Sequence, residues 1–217
     1  MSEEAPADAG ATESLPPEDL ARGNFYALLA RLFSAAPDSR LLAAIAVSAP
    51  LEPLAEGGDE GGTAGDLAAA WDTLRASSAA AEAAALAEEF QTLFIGVGRS
   101  EVSLYASHYL APQSGRPLST IRAALAELGL ARQSARSEFE DHFATLLEAM
   151  RMLVAGDATR VPASIAAQKD FFERHIGSWA AACCSAIEQS PVAIYYRDVA
   201  QFAICFLMLE RESLAMD

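Results

Sequence analysis

The chain has 217 residues, of which 52% are hydrophobic, and 30 acidic residues against 15 basic ones leave a net charge of −15. That length suits one compact domain, and an alanine-rich apolar fraction suits closely packed helices. A surface this acidic repels phosphate backbones and anionic lipid headgroups, which argues against nucleic acid and stable membrane insertion as partners, and it steers a basic partner instead.

Residues 1–15 are acidic and alanine-rich, with no basic region ahead of an apolar run. They read as a disordered tail rather than a secretory signal or a transit peptide. Pro16 and Pro17 open a first helix, with Glu18 and Asp19 in its first turn, where the helix dipole favours acids. Ala21, Phe25, Leu28, Leu29, Leu32 and Phe33 give it an apolar stripe, and Ala36-Pro37 ends it. A short helix follows over 38–48. The Gly-, Pro- and acid-rich segment 50–65 reads as a flexible loop. Helices are expected again over 66–75 and 78–94.

The stretch 96–117 is long, broken by glycine and proline, and holds Tyr105 and Tyr109; irregular stretches of this length are often functional. A helix over 118–128 stops at Gly129, placed as a left-handed cap. Ser137 with Glu140 three residues on forms a capping box for a helix to about 155, whose stripe is Phe143, Leu146, Leu147, Met150 and Leu153. Pro162 opens a helix carrying Phe171, Phe172 and Trp179 to about 188, and Pro191 opens a last one to about 214. With strand-favouring residues sparse and no sustained period-two alternation, the expected fold is all-α, a single domain over 16–217 of about eight or nine helices.

Apolar runs over 176–187 and 199–209 fall short of the ~18 residues that cross a bilayer. Cys183, Cys184 and Cys205 have no metal-ligand spacing and read as small buried hydrophobes, free in a reducing cytoplasm.

Few features suggest catalysis. His108, His142 and His175 belong to no HExxH motif or di-iron Exx-H pair, which leaves for metal only a site assembled from scattered side chains. Gly96-Val97-Gly98 has none of the lysine and hydroxyl that follow in a phosphate-binding loop. Ser107 beside His108 offers a nucleophile and a base, but adjacent residues seldom orient for proton transfer. No catalytic residue, metal or cofactor is expected; the competing reading is a metal- or nucleotide-dependent enzyme on a helical scaffold. Glu138, Glu140, Asp141 and His142 crowd what is expected to be a helix's first turn. Dipole and capping preferences account for the two glutamates, while Asp141 and His142 stand at the edge of the apolar stripe, where a carboxylate could receive a guanidinium.

The ordered set of motifs carries a resemblance. Glu89-Phe90-Gln91-Thr92-Leu93-Phe94-Ile95-Gly96, then Leu104-Tyr105-Ala106-Ser107-His108-Tyr109-Leu110, is similar to the "LF-x-G … Y-x-S-x-Y" region of TorD/DmsD/NarJ-type chaperones, the redox-enzyme maturation proteins. Ser137-Glu138-Phe139-Glu140-Asp141-His142 resembles their E-P-x-D-H signature, with Phe139 in place of the proline. Phe171-Phe172 with His175 and Trp179, Tyr195-Tyr196-Arg197, and Phe202 to Glu210 match their closing pattern. The likeness covers about 20–215, and the branch associated with formate dehydrogenase is the one it resembles. It implies an all-helical cytoplasmic chaperone, monomeric or dimeric, that binds the twin-arginine signal peptide and body of a molybdoenzyme precursor. The site residues it implies are Asp141, His142, Tyr105, Ser107, Tyr109 and Glu138, with Gly96 and Gly98 in the flanking loop. The expected geometry is an apolar groove with carboxylates at its mouth and the 96–117 loop as its lid or wall.

Overall fold

The computed structural model describes residues 15–51, 63–96, 100–110, 117–130 and 139–216. Ten α-helices account for most of these residues: α1 (Pro17–Ser34), α2 (Ser39–Ala46), α3 (Thr63–Ala80), α4 (Ala83–Phe90), α5 (Ala106–Tyr109), α6 (Pro117–Glu127), α7 (Phe143–Ala155), α8 (Ile165–Phe172), α9 (Ala180–Gln189) and α10 (Tyr195–Met216). Extended backbone pairing among the described residues is confined to two isolated bridges, Tyr105 with His142 and Asp157 with Arg160. The fold is an all-helical single domain. The expected tail (except Leu15), most of the acidic loop, Gly98, Ser137 and Glu138 lie outside the described residues.

Where local signals agree with packing, the helices begin and end as the residues dictate. Asp38 caps α2 by accepting from the Leu41 N–H at 2.8 Å. Gly129 adopts φ +67° after α6, the left-handed cap its position suggests. Beyond shifts of a few residues, as at the starts of α3 (Thr63) and α10 (Tyr195), three boundaries differ from expectation. The break placed between 75 and 78 does not occur: α3 runs on to Ala80, and within it the Ser77 and Ser78 hydroxyls bond back to the Thr73 and Leu74 carbonyls. The 162–188 helix is three pieces. Ser164 caps α8, a π-helical turn follows over Glu173–Gly177, and α9 starts only after Trp179, whose buried indole donates to the His175 carbonyl at 2.6 Å. The third correction concerns α7, which starts at Phe143, well after Ser137, with His142 as its N-cap.

α1 lies along α7 and α10 packs between α3 and α9. Gly23 lets the first pair approach closely, since a Cβ there would stand 3.2 Å from that of Ala155. The α1 stripe is shifted slightly from expectation: Tyr26 is fully buried and Ala21 is exposed. Two aromatic clusters fill the interior. Phe25, Trp71, Phe202 and Phe206 meet edge-on or tilted between α1, α3 and α10. Phe33 joins Phe94, Phe143 and, through Phe143, Trp179. Phe90 is only partly buried but packs on Phe94 and Tyr196. The three cysteines are buried free thiols, and burial pushes Cys183 up to about 12.

His175 is buried with its ring 4.9 Å from that of Phe171. Burial first, and then the Arg174 charge, hold its pKa below the ordinary value, with Asp170 opposing. The unfolded chain therefore binds this proton more readily than the folded one. The stability that neutral His175 contributes is present above its ordinary value of 6.5 and is lost as pH falls below it toward the depressed folded value. Urea midpoints measured across that range should fall more steeply for the native chain than for His175→Phe, which removes the titration and keeps an apolar ring.

Candidate functional site

The segment leading into α7 and the loop leading into α5 meet through the bridge between Tyr105 and His142. The Phe143 N–H donates to the Leu104 carbonyl at 2.8 Å, and the Ala106 N–H donates to the Asp141 carbonyl at 3.0 Å. These two bonds explain why the capping box does not start the helix. His142 takes an extended backbone (φ −72°, ψ 138°) to pair with the loop, and its Nδ1 then accepts from the Ala144 N–H at 3.3 Å. Asp141 and His142 are thus not in a helix's first turn, as expected, but on the strand-like entry before it.

Both are buried, at 3% and 6% exposure. The Asp141 carboxylate accepts from the Ser107 N–H at 3.2 Å, so it caps the start of α5 and ties the loop to α7. Glu140 is engaged as well: Arg122 on α6 holds its carboxylate through Nε at 3.1 Å and Nη2 at 3.1 Å. The hydrogen bond to Glu140 raises the Arg122 pKa, and the charges of Glu140 and Asp141 act in the same sense. Asp141 thus faces inward, Glu140 is taken up in an ion pair with the exposed Arg122, and Glu138 lies outside the described residues.

Apolar surface faces outward instead. Phe139 is 55% exposed, its ring 6.4 Å from that of Tyr105, which stands edge-on to His142 at 4.9 Å. Phe139 and Tyr105 thus form a shelf backed by the buried His142 ring. Ser107 and His108 are exposed beside it, and the His108 ring lies 4.9 Å from that of Tyr109. Tyr109 points the other way. It stacks on Trp179 at 5.6 Å and 18°, and its hydroxyl donates to the Ser103 carbonyl at 2.8 Å. Burial, reinforced by the neighbouring Cys183, raises its pKa. Tyr109 anchors the loop to α9 from beneath. Gly96 stands at the end of the π-helical turn that extends α4, at φ +65°, and its N–H donates to the Gln91 carbonyl at 2.7 Å. That conformation suits glycine.

The structure thus brings Tyr105, Ser107, Asp141 and His142 together, sets Tyr109 behind them and Gly96 at the head of the loop. Ser103, whose carbonyl receives Tyr109 and lies 3.6 Å from the Cys183 sulfur, was not expected, and no sequence signal marks it. Among the described residues, no three His, Cys, Asp or Glu side chains converge to hold a metal ion. None of the described helices is long and apolar enough to cross a membrane.

The protein-family model of the nitrate reductase delta subunit matches residues 60–185. The chain belongs to the nitrate reductase delta subunit family. In this family member the matched span runs from the start of α3 into α9, so it contains the shelf, the bridge and the Tyr109–Trp179 stack. Chaperone protein TorD of Vibrio cholerae serotype O1 strain M66-2 is 27% identical over 137 residues, covering 59% of this chain and 62% of the relative. TorD of strain ATCC 39315 / El Tor Inaba N16961 is 26% identical over 136 residues, with the same coverage. The chain thus spans 62% of the length of the curated relatives it matches.

Proposed function

We propose that this chain is a cytoplasmic chaperone that binds the twin-arginine signal peptide and the body of a molybdenum-containing redox-enzyme precursor, and holds it until the cofactor is inserted, without chemistry of its own. The observation that carries the reading is the exposed Phe139 held with Tyr105 and His142 on a backbone clamped by Asp141. A fixed apolar shelf can take the oily stretch of a leader at little ordering cost to the receptor. Family membership and relatives named as chaperones support it. The motif set's likeness to the formate dehydrogenase-associated branch makes a formate dehydrogenase precursor the client to test first.

The magnitudes suit a releasable complex. Burying about 400 Å² of leader apolar surface gives on the order of 10 kcal/mol gross. Ordering the leader and losing its free motion remove much of it. Calorimetric titration with the client's leader should give binding in the micromolar class. Phe139→Ser and Tyr105→Ala should each weaken it about tenfold, roughly the transfer energy of the ring surface that the leader then leaves in water. Absence of heat with every leader tried would remove the reading, and a leader bound equally by both variants would move the site off the shelf.

A further inference from the structure

A second surface shares no residue with the shelf. The C-terminal end of α3, α4 and the start of α10 enclose a groove of about 630 Å³. Ala85, Leu86, Val192 and Ile194 make its apolar walls, and Glu82 and Glu88 stand on its rim. Ile194 is 77% exposed, so a large aliphatic side chain stands open to solvent at the groove. Asp198 and Glu89 add two further carboxylates to the lining, which has no lysine, arginine or histidine among the described residues.

The groove is held open by its own frame. Glu89 reaches from α4 to the start of α10 and accepts from the Ile194, Tyr195 and Tyr196 N–H groups at 2.9, 3.2 and 2.9 Å. One carboxylate therefore fixes one wall against the other, and it complements the positive end of the α10 dipole. From beneath, the Ser78 and Tyr195 hydroxyls lie 3.0 Å apart, joining α3 to α10. With Glu89 committed to the frame, Glu82 and Glu88 are exposed and bear on whatever enters.

We infer that this groove binds an apolar peptide segment carrying lysine or arginine. Aliphatic walls with a protruding Ile194 select an apolar segment, and a rim of one sign of charge selects basic side chains and rejects acidic ones. The inference stands apart from leader binding at the shelf, because it names a different surface and needs only the chemistry of its own lining.

The test uses the full chain and two fluorescently labelled leucine-rich peptides, one with two arginines and its twin with two glutamates in their place. Anisotropy should show saturable binding of the arginine peptide only. Ile194→Asp should weaken it about tenfold or more, and Ala85→Trp, which fills the groove, should do the same. The double variant Glu82→Lys, Glu88→Lys should turn the preference toward the glutamate peptide. All four substituted side chains are exposed, so far-UV circular dichroism and the melting temperature should stay at native values. No saturable binding of the arginine peptide, equal binding of the twins, or unchanged affinity in the three variants would overturn the inference. Arginine-peptide binding lost in Phe139→Ser but kept in Ile194→Asp would place that binding on the shelf and remove the groove.

Discussion

Replacing Glu210 with alanine should lower the unfolding free energy by about 3–5 kcal/mol, the range for breaking a buried charge pair by removing one partner. Glu210 is 2% exposed on α10. It accepts from Arg22 Nε at 2.7 Å, Arg22 Nη2 at 3.1 Å and the fully buried Tyr26 hydroxyl at 2.9 Å. Arg22 reaches on to Asp19 at 2.7 Å and to Gln168 at 2.9 Å, so α1, α8 and α10 share one network. Burial alone would lower the Arg22 pKa, but the bond and charge of Glu210, with Asp19, hold it above its ordinary value. The Tyr26 pKa is raised by burial and by the same carboxylate. Without that carboxylate the guanidinium remains largely buried and the tyrosine hydroxyl loses its acceptor. Glu210→Gln, which keeps the size and one acceptor, should cost only about 1–2 kcal/mol. Urea midpoints at constant m-value check both. Equal losses for the two variants would show that packing, not charge, fixes this junction.

That network also shows how unevenly the chain displays its structure. Glu210 could be singled out as the last residue of a motif set, but its partners Arg22 and Tyr26 lie 188 and 184 residues away and carry no mark of their own. Helix type and most apolar stripes were legible because they follow from spacing within one helix: Phe143, Leu146, Leu147, Met150 and Leu153 are all buried as expected. Boundaries were legible only where the signal is self-contained, as at Asp38 and Gly129. At Ser77-Ser78 the hydroxyls had a second use in the helix itself, and at Asp141 to Phe143 the backbone is taken up by pairing with Leu104 to Ala106. Which way the candidate site residues face was not legible. Nothing in the spacing says that Asp141 turns inward to the Ser107 N–H while Phe139 turns outward.

That inward turn sets the expected behaviour of Asp141. Asp141→Ala leaves the Ser107 N–H without its charged acceptor and unties α5 from the entry to α7. The loss should be about 1.5–3 kcal/mol of stability, the worth of a bond to an ionised group. Leader affinity should drop with it, because Tyr105 sits between Leu104 and Ala106, whose backbone bonds to Phe143 and Asp141 hold the shelf. Asp141→Asn separates the two roles a carboxylate could have here. Its amide oxygen can still accept from Ser107, so a positioning residue predicts that stability and leader binding both return most of the way. A residue that grips the leader's guanidinium directly predicts that stability returns while affinity does not, because the neutral amide forfeits the charge-assisted bond. At 3% exposure, with one oxygen already engaged inside the protein, the geometry favours the first outcome. Calorimetry on the three proteins, run beside their urea curves, decides between them.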